Sequence, residues 1–443
     1  MLKRLLGFLA PIGAVGGAIL VWLGFKKQQD LKREALSTAI DHVTGTVPSG
    51  HGLKACFVSQ RNYPSDQRLY TAMTALQDVG WEVHLICTRD NNRPAESVED
   101  GVHIHRIPSI ERTRGSKLRY IAEYISFLLP AFYYVTKLHM QIGFHLVEVT
   151  NLPDPLLLSA LVPRLTGAKI IFDVRECSPE MFNDRLGLSL EGRPMKFIIA
   201  IEQFMVRFAH ATITCTEQMK HAMVKRGANP SKIFVTLNSG AAYSPSAILP
   251  DAADTSAATE LRIVTHGTII KRYGHQVMIK AMPYVLEKIP NAHLTIYGKG
   301  ALRPELEQMV ADMKLGDSVT FGGFVPDEEL VGKLRQGHIG IVTLVRNPEA
   351  DLVHTYKMFE YLSLGIPIVI SRTSAAEAYF TDDEMCFFEA GNEHDLARAL
   401  LELANDPQRR HDMAVNGLKA YERYSPDKQK QATLDIANSL MKQ

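Results

Sequence analysis

The chain has 443 residues, 46% of them hydrophobic, with 49 Lys and Arg against 48 Asp and Glu and a formal net charge of +1. That length allows two domains of ordinary size, and the even charge balance argues against a broad nucleic-acid-binding surface. The five cysteines (Cys56, Cys87, Cys177, Cys215, Cys386) are odd in number, widely spaced and without Cys-x-x-Cys or Cys/His ligand spacing. They support neither a disulfide framework nor a structural zinc site, and they fit a reducing compartment.

Residues 5–25 form an uninterrupted apolar and small-residue run between Lys3-Arg4 and Lys26-Lys27. The run approaches the roughly 20 residues that cross a bilayer, which predicts one transmembrane helix. A cleaved signal peptide is the rival reading, but the run is long for one and no Ala-x-Ala-like site follows. The basic excess after it (Lys26, Lys27, Lys32, Arg33) places the body on the cytoplasmic side. Residues 26–52 are largely polar and end in Pro-Ser-Gly-His-Gly, a juxtamembrane tether.

From Leu53 onward, short β-branched runs alternate with segments of helical period. Strands are predicted at 54–59, 82–88, 103–107, 146–150, 169–174, 211–216 and 232–237, giving a first domain over 53–243. An Ala-, Ser-, Pro- and Asp-rich linker is expected over 244–260. A second domain over 261–424 follows, with strands at 262–266, 293–297, 318–321, 339–344, 366–371 and 386–389, then a terminal helix within 425–443. Strands separated by helices predict two doubly wound α/β domains facing a cleft, with ligands beyond the carboxyl ends of the strands.

Two segments at such positions carry chemistry. Gly267-Thr-Ile-Ile-Lys-Arg-Tyr-Gly274 reads as a strand ending in a glycine turn before a helix, which suits an anion such as a diphosphate. Lys357-Met-Phe-Glu-Tyr361, closed by Leu364-Gly-Ile-Pro-Ile-Val-Ile370, puts a Lys and a Glu on one helix. A carboxylate there suits hydroxyls rather than phosphates. Together they predict a nucleotide site that grips diphosphate and ribose separately. Neither a P-loop nor a strand-linked Gly-x-Gly-x-x-Gly is present.

With Tyr297-Gly-Lys-Gly300, Phe321-Gly-Gly-Phe-Val-Pro326 and Lys357-Met-Phe-Glu-Tyr-Leu-Ser-Leu-Gly-Ile-Pro367, these segments resemble the retaining GT-B glycosyltransferases of the glycosyl transferases group 1, glycogen-synthase-like family. In the first domain Tyr63-Pro-Ser-Asp-Gln-Arg68, Asn151-Leu-Pro-Asp154 and Asp173-Val-Arg-Glu176 look like that family's pocket loops. The resemblance implies two opposed Rossmann-like domains binding a UDP- or GDP-sugar between them, and a last helix crossing back to the first. It implies no further cofactor.

Carried over by position, Glu360 is the second Glu of the family's Glu-x7-Glu motif, on the ribose hydroxyls. Arg272 and Lys357 are the cations of the leaving diphosphate, and Gly267 and Thr268 lie where backbone N–H groups approach it. Phe324, Gly298 and Gly300 enclose the base. Asp173 and Glu176 fall in the catalytic pocket, with Asn151, Asp154 and Arg175 on the acceptor side. Four positions depart from the pattern. Leu352 stands where the first Glu is expected, Thr268 replaces an Arg, Tyr273 replaces a Lys, and Arg175 replaces a His. His105, His139, His266 and His338 read as packed or exposed rather than catalytic.

The resemblance further implies transfer with retention, the departing phosphate taking the acceptor's proton, so that no protein nucleophile is needed. No metal is expected, because no Asp-x-Asp follows a strand and Arg272 and Lys357 neutralise the diphosphate. Residues 124–135 are aromatic and aliphatic and follow the basic stretch 112–119. They read either as an ordinary buried helix or as a surface resting on an anionic membrane beside a lipid-linked acceptor. Two rival functions stay open. One is a sugar-nucleotide epimerase of the same fold, which should have a different acidic and histidine pocket. The other is a non-catalytic membrane-anchored partner, suggested by Leu352.

Overall fold

The computed structural model describes residues 52–63, 66–90, 92–110, 117–239 and 249–442. The expected anchor at 5–25 and nearly all of the tether lie outside these residues. Among those described, no helix is long and apolar enough to cross a membrane.

Two sheets organise the chain. The first orders its strands β3 (Glu96–Glu99), β4 (Val102–Ile107), β2 (Glu82–Thr88), β1 (Lys54–Ser59), β5 (Leu146–Thr150), β6 (Lys169–Val174), β7 (Ala211–Thr214) and β8 (Ile233–Val235). All neighbours are parallel except β3, which runs antiparallel to β4. The second orders β11 (Val319–Gly323), β10 (His293–Tyr297), β9 (Arg262–His266), β12 (Ile339–Val342), β13 (Ile368–Arg372) and β14 (Cys386–Glu389), all parallel.

Central strands are buried on both faces, as β1 shows from Ala55 to Ser59. Helices cover each side, and the short apolar runs of the sequence follow from that. Each sheet accordingly separates two hydrophobic clusters, one per face.

The sequence misses β3, because Glu-Ser-Val-Glu has no apolar run and is held only by pairing along β4. The expected strand at 211–216 stops at Thr214, since the Thr216 hydroxyl instead accepts from Met219 N at 3.1 Å and caps the helix Glu217–Lys225.

The last helix, Pro426–Met441, returns to the first sheet. Its Ile436, Ala437 and Leu440 bury against Leu69, Met73 and Trp81, and Lys430 pairs with Asp78 at 2.7 Å. The loop after β12 also crosses between the domains. Asn347 donates to Asp184 at 2.8 Å, the Leu352 carbonyl accepts from Thr216 Oγ1, and Leu352 and Val353 pack against the first domain's core.

Candidate active site

The carboxyl ends of β9, β10, β11 and the start of the helix Tyr356–Leu364 surround a cleft of about 300 Å³, lined among others by His266, Gly267, Thr268, Gly298, Phe324 and Glu360. Its floor is two glycine loops in backbone contact. Gly267 N donates to Tyr297 O and Ile269 N to Lys299 O, both at 2.9 Å, so the pairing of β9 with β10 continues past the strands. A Cβ on Gly298, where φ is +134°, would lie 1.9 Å from the Gly267 oxygen, and one on Gly300 would lie 2.0 Å from that of Ile269. Only glycine lets the two chains meet so closely.

This geometry corrects the expectation for Gly267. Its N–H is bonded to Tyr297, whereas the Thr268 amide takes part in neither of these two bonds. The role of Gly267 is instead to admit Lys357, whose Cε would be 2.7 Å from a Cβ there.

Lys357 and Glu360 stand one turn apart on their helix, so both side chains project to the same side. Lys357 is buried, with Nζ 4.0 Å from the centre of the Tyr273 ring. Tyr273 thus takes the place of a cation by presenting a π face to one. Burial pulls the Lys357 ammonium down to about 8, partly offset by Glu360, which leaves it charged at neutral pH. Glu360 takes a hydrogen bond from His266 Nε2 at 2.7 Å, and the Nδ1 of that ring lies 3.1 Å from the Tyr361 hydroxyl. His266, read from the sequence as packed or exposed rather than catalytic, is packed and orients the Glu360 carboxylate. The available signal was its place as the last residue of β9, directly before the glycine turn. Phe324 stands at the mouth, strongly exposed, with Lys299 Nζ 4.7 Å from its ring centre.

Arg272 is already paired within the second domain. Its Nη1 is bonded to Glu349 Oε1 at 2.6 Å, so the guanidinium already carries a carboxylate. Burial opposes its charge, but Glu349, Tyr273 and Glu176 together outweigh burial, so its pKa rises and it stays a cation. Glu349 is itself buried, and its Oε2 has no hydrogen-bond partner among the described residues. Nothing in the motif pointed to Glu349, which precedes the expected acidic position by three residues. Leu352 occupies that position and is used for packing between the domains.

In the first domain the predicted pocket residues divide. Asp173 is buried beneath the surface, taking Arg68 at 2.7 Å on one oxygen and Arg175 at 2.6 Å on the other. Arg175 also reaches Asp66 at 2.5 Å, and Asp66 caps the helix Gln67–Asp78. Asp173 and Arg175 thus form an internally neutralised cluster, and Asp173 offers no free carboxylate to a reacting group. Asn151 is consumed as well: its amide donates to Asp154 at 2.9 Å and to the Glu176 carbonyl at 2.7 Å, while its oxygen accepts from Arg175 N at 2.8 Å. Burial lifts the Asp154 carboxyl to about 6. These residues clip the loop after β6 in place. Glu176 looks toward the second domain. Its carboxylate accepts from Arg185 at 2.8 Å and its charge is felt by Arg272 and Glu349.

Two family comparisons cover most of the chain. Residues 252–420 match the family Glycosyl transferases group 1, and residues 66–239 match Glycosyl transferase 4-like domain. The chain is 25% identical over 158 residues to a GDP-mannose-dependent alpha-(1-6)-phosphatidylinositol monomannoside mannosyltransferase of Mycolicibacterium smegmatis, spanning 35% of this chain and 41% of that one. The matched part is thus about two fifths of that relative's length. Among solved structures, sucrose-phosphate synthase of Thermosynechococcus elongatus superposes with a TM-score of 0.65 at 15% identity, covering 88% of this chain and 99% of that one. Anabaena HepE in complex with UDP-glucose superposes with a TM-score of 0.65 at 15% identity, covering 87% and 100%. The fold is therefore the two-domain GT-B arrangement.

Proposed function

We propose, from the match of residues 252–420 to the Glycosyl transferases group 1 family, that the chain moves a sugar from a UDP- or GDP-linked donor to a glycan or lipid-linked acceptor. The observation that carries this reading is the pairing on one helix of Lys357, buried against the glycine turn, with Glu360, aimed by His266 into the cleft. One gives a cation to a diphosphate and the other a charged acceptor to ribose hydroxyls. The Mycolicibacterium relative is GDP-mannose-dependent, and Anabaena HepE, of the same fold, has been solved in complex with UDP-glucose.

As the bond from sugar to diphosphate breaks, negative charge grows on the leaving phosphate. Lys357 and Arg272 would hold it, with Thr268 N–H on the glycine turn. Attack on the face that the diphosphate leaves gives retention, the departing phosphate oxygen taking the acceptor's proton. Glu349 keeps Arg272 oriented through the bond from Nη1 to Oε1. Glu176, across the cleft, is the remaining first-domain carboxylate suited to the positive anomeric carbon. No metal enters this scheme. An epimerase or an inactive partner explains less, since the cation pair and ribose carboxylate are retained.

Glu360→Gln should fold normally, because the side chain is near the surface, yet bind nucleoside diphosphate about tenfold to a hundredfold more weakly. Calorimetric titration showing unchanged affinity would remove Glu360 from the ribose. Parent enzyme should keep its activity in EDTA, and a loss restored by a divalent ion would defeat the metal-free scheme.

Residues 5–25 complete the proposal as an N-terminal anchor, with the body in the cytoplasm where nucleotide sugars are made. Protease added to intact cells should spare the two domains. Digestion from outside an unbroken membrane would reverse that placement.

A further inference from the structure

We propose that the face of the first domain built by the helices Lys117–Ile142, Leu161–Leu165 and Arg193–Phe208 rests on a bilayer with anionic headgroups. These helices share one core. Phe127, Ala131 and Val135 of the first, and Met205 and Val206 of the third, close over Leu156 and Leu157, in the turn that leads into the second. A helix that buries one stripe ordinarily turns a polar stripe to water. Here the outward stripes are apolar too. Leu129 and Tyr133 are 64% and 60% exposed, Leu165 is 63%, and Phe197 and Phe204 are 69% and 54%. Ile125, Leu129 and Tyr133 follow at intervals of four, and Phe197, Ala200 and Phe204 at three and four, so each set is a continuous line along its helix.

The charges that accompany these lines have one sign. Lys137, Arg193, Lys196 and Arg207 are exposed, whereas the carboxylates of the same helices, Glu123 and Glu202, are turned into the protein. Apolar side chains flanked by cations, with no exposed acid on these three helices and Glu191 just ahead of the third, match acyl chains beneath anionic headgroups. Position agrees with chemistry. The first and third helices feed β5 and β7 of a parallel sheet, so they run against the strands and begin at the end where the cleft opens. A bilayer on this face brings a lipid-linked acceptor to the cleft rim. The acceptor class rests on the proposed function; the contact itself does not.

The five native cysteines are all buried, so a thiol placed at Phe197→Cys in the full chain takes an environment-sensitive label alone. A label at Tyr284→Cys, on the second domain, is the control. In vesicles of phosphatidylcholine with one anionic lipid, the label at 197 should shift to the blue and be quenched by brominated acyl chains, while that at 284 stays in water. Reversing Arg193, Lys196 and Arg207 to Glu should cut the shifted fraction about tenfold or more on anionic vesicles. A water-like signal at 197 in every vesicle would overturn the proposal, as would a shift that appears only when a protein partner is added. Nucleoside diphosphate binding, measured on the same samples, reports the donor site separately. A shifted label with no nucleotide binding would sink the glycosyltransferase reading and leave the bilayer contact standing.

Discussion

Arg272→Ala is expected to lower turnover at saturating donor by about a hundredfold to a thousandfold, the usual loss when one fixed charge is withdrawn from a growing oxyanion. Donor affinity should fall much less, because the charge it meets is larger in the transition state than in the ground state. The ion pair with Glu349 adds a second consequence. Removing the guanidinium strands a buried carboxylate, which costs about 3 kcal/mol when the pair is well shielded. Arg272 itself keeps some solvent contact, so the lower part of the range applies. The double variant Arg272→Ala with Glu349→Gln separates the two effects. It should recover most of the thermal stability and none of the turnover. Recovery of turnover in that double variant would show that Arg272 serves only to neutralise Glu349.

Gly298→Ala should be the most damaging single methyl in the second domain. The new Cβ would sit 1.9 Å from the Gly267 carbonyl, at a φ of +134° that L side chains rarely adopt. Backbone strain and overpacking each cost about 1–3 kcal/mol, and both fall on the loops that form the cleft floor. The expected result is a lowered melting temperature together with loss of nucleoside diphosphate binding. Gly316→Ala is the matched control, since a Cβ there meets nothing within 4 Å. Equal behaviour of the two variants would mean that the contact between the glycine loops does not shape the site.

The expectations that fared best concern elements whose signal is local. β1, β2, β5, β6, β9, β10 and β14 lie at the predicted bounds, because their short runs of β-branched and apolar residues set them off from the helical segments on either side. Likewise Lys357 and Glu360 fall on one helical turn, a matter of spacing alone, and Gly298 and Gly300 follow a strand end, where a close backbone approach demands glycine.

What the sequence could not decide is which charge meets which. Asp173, Arg175 and Arg68 look like pocket residues as a string, yet the fold brings them together below the surface, where each satisfies the other. Arg272 and Glu349 are 77 residues apart and meet only because β9 and β12 are neighbours in the sheet. His266 looked bland until the sheet set it against Glu360, itself 94 residues away. The exposed apolar lines of the first domain became visible only once burial had divided each helix into an inner and an outer side. Periodicity and glycine placement act over a few residues and are written in the chain. Pairing of charges, and the direction an amphipathic helix faces, depend on contacts across tens of residues that only the packed sheets create.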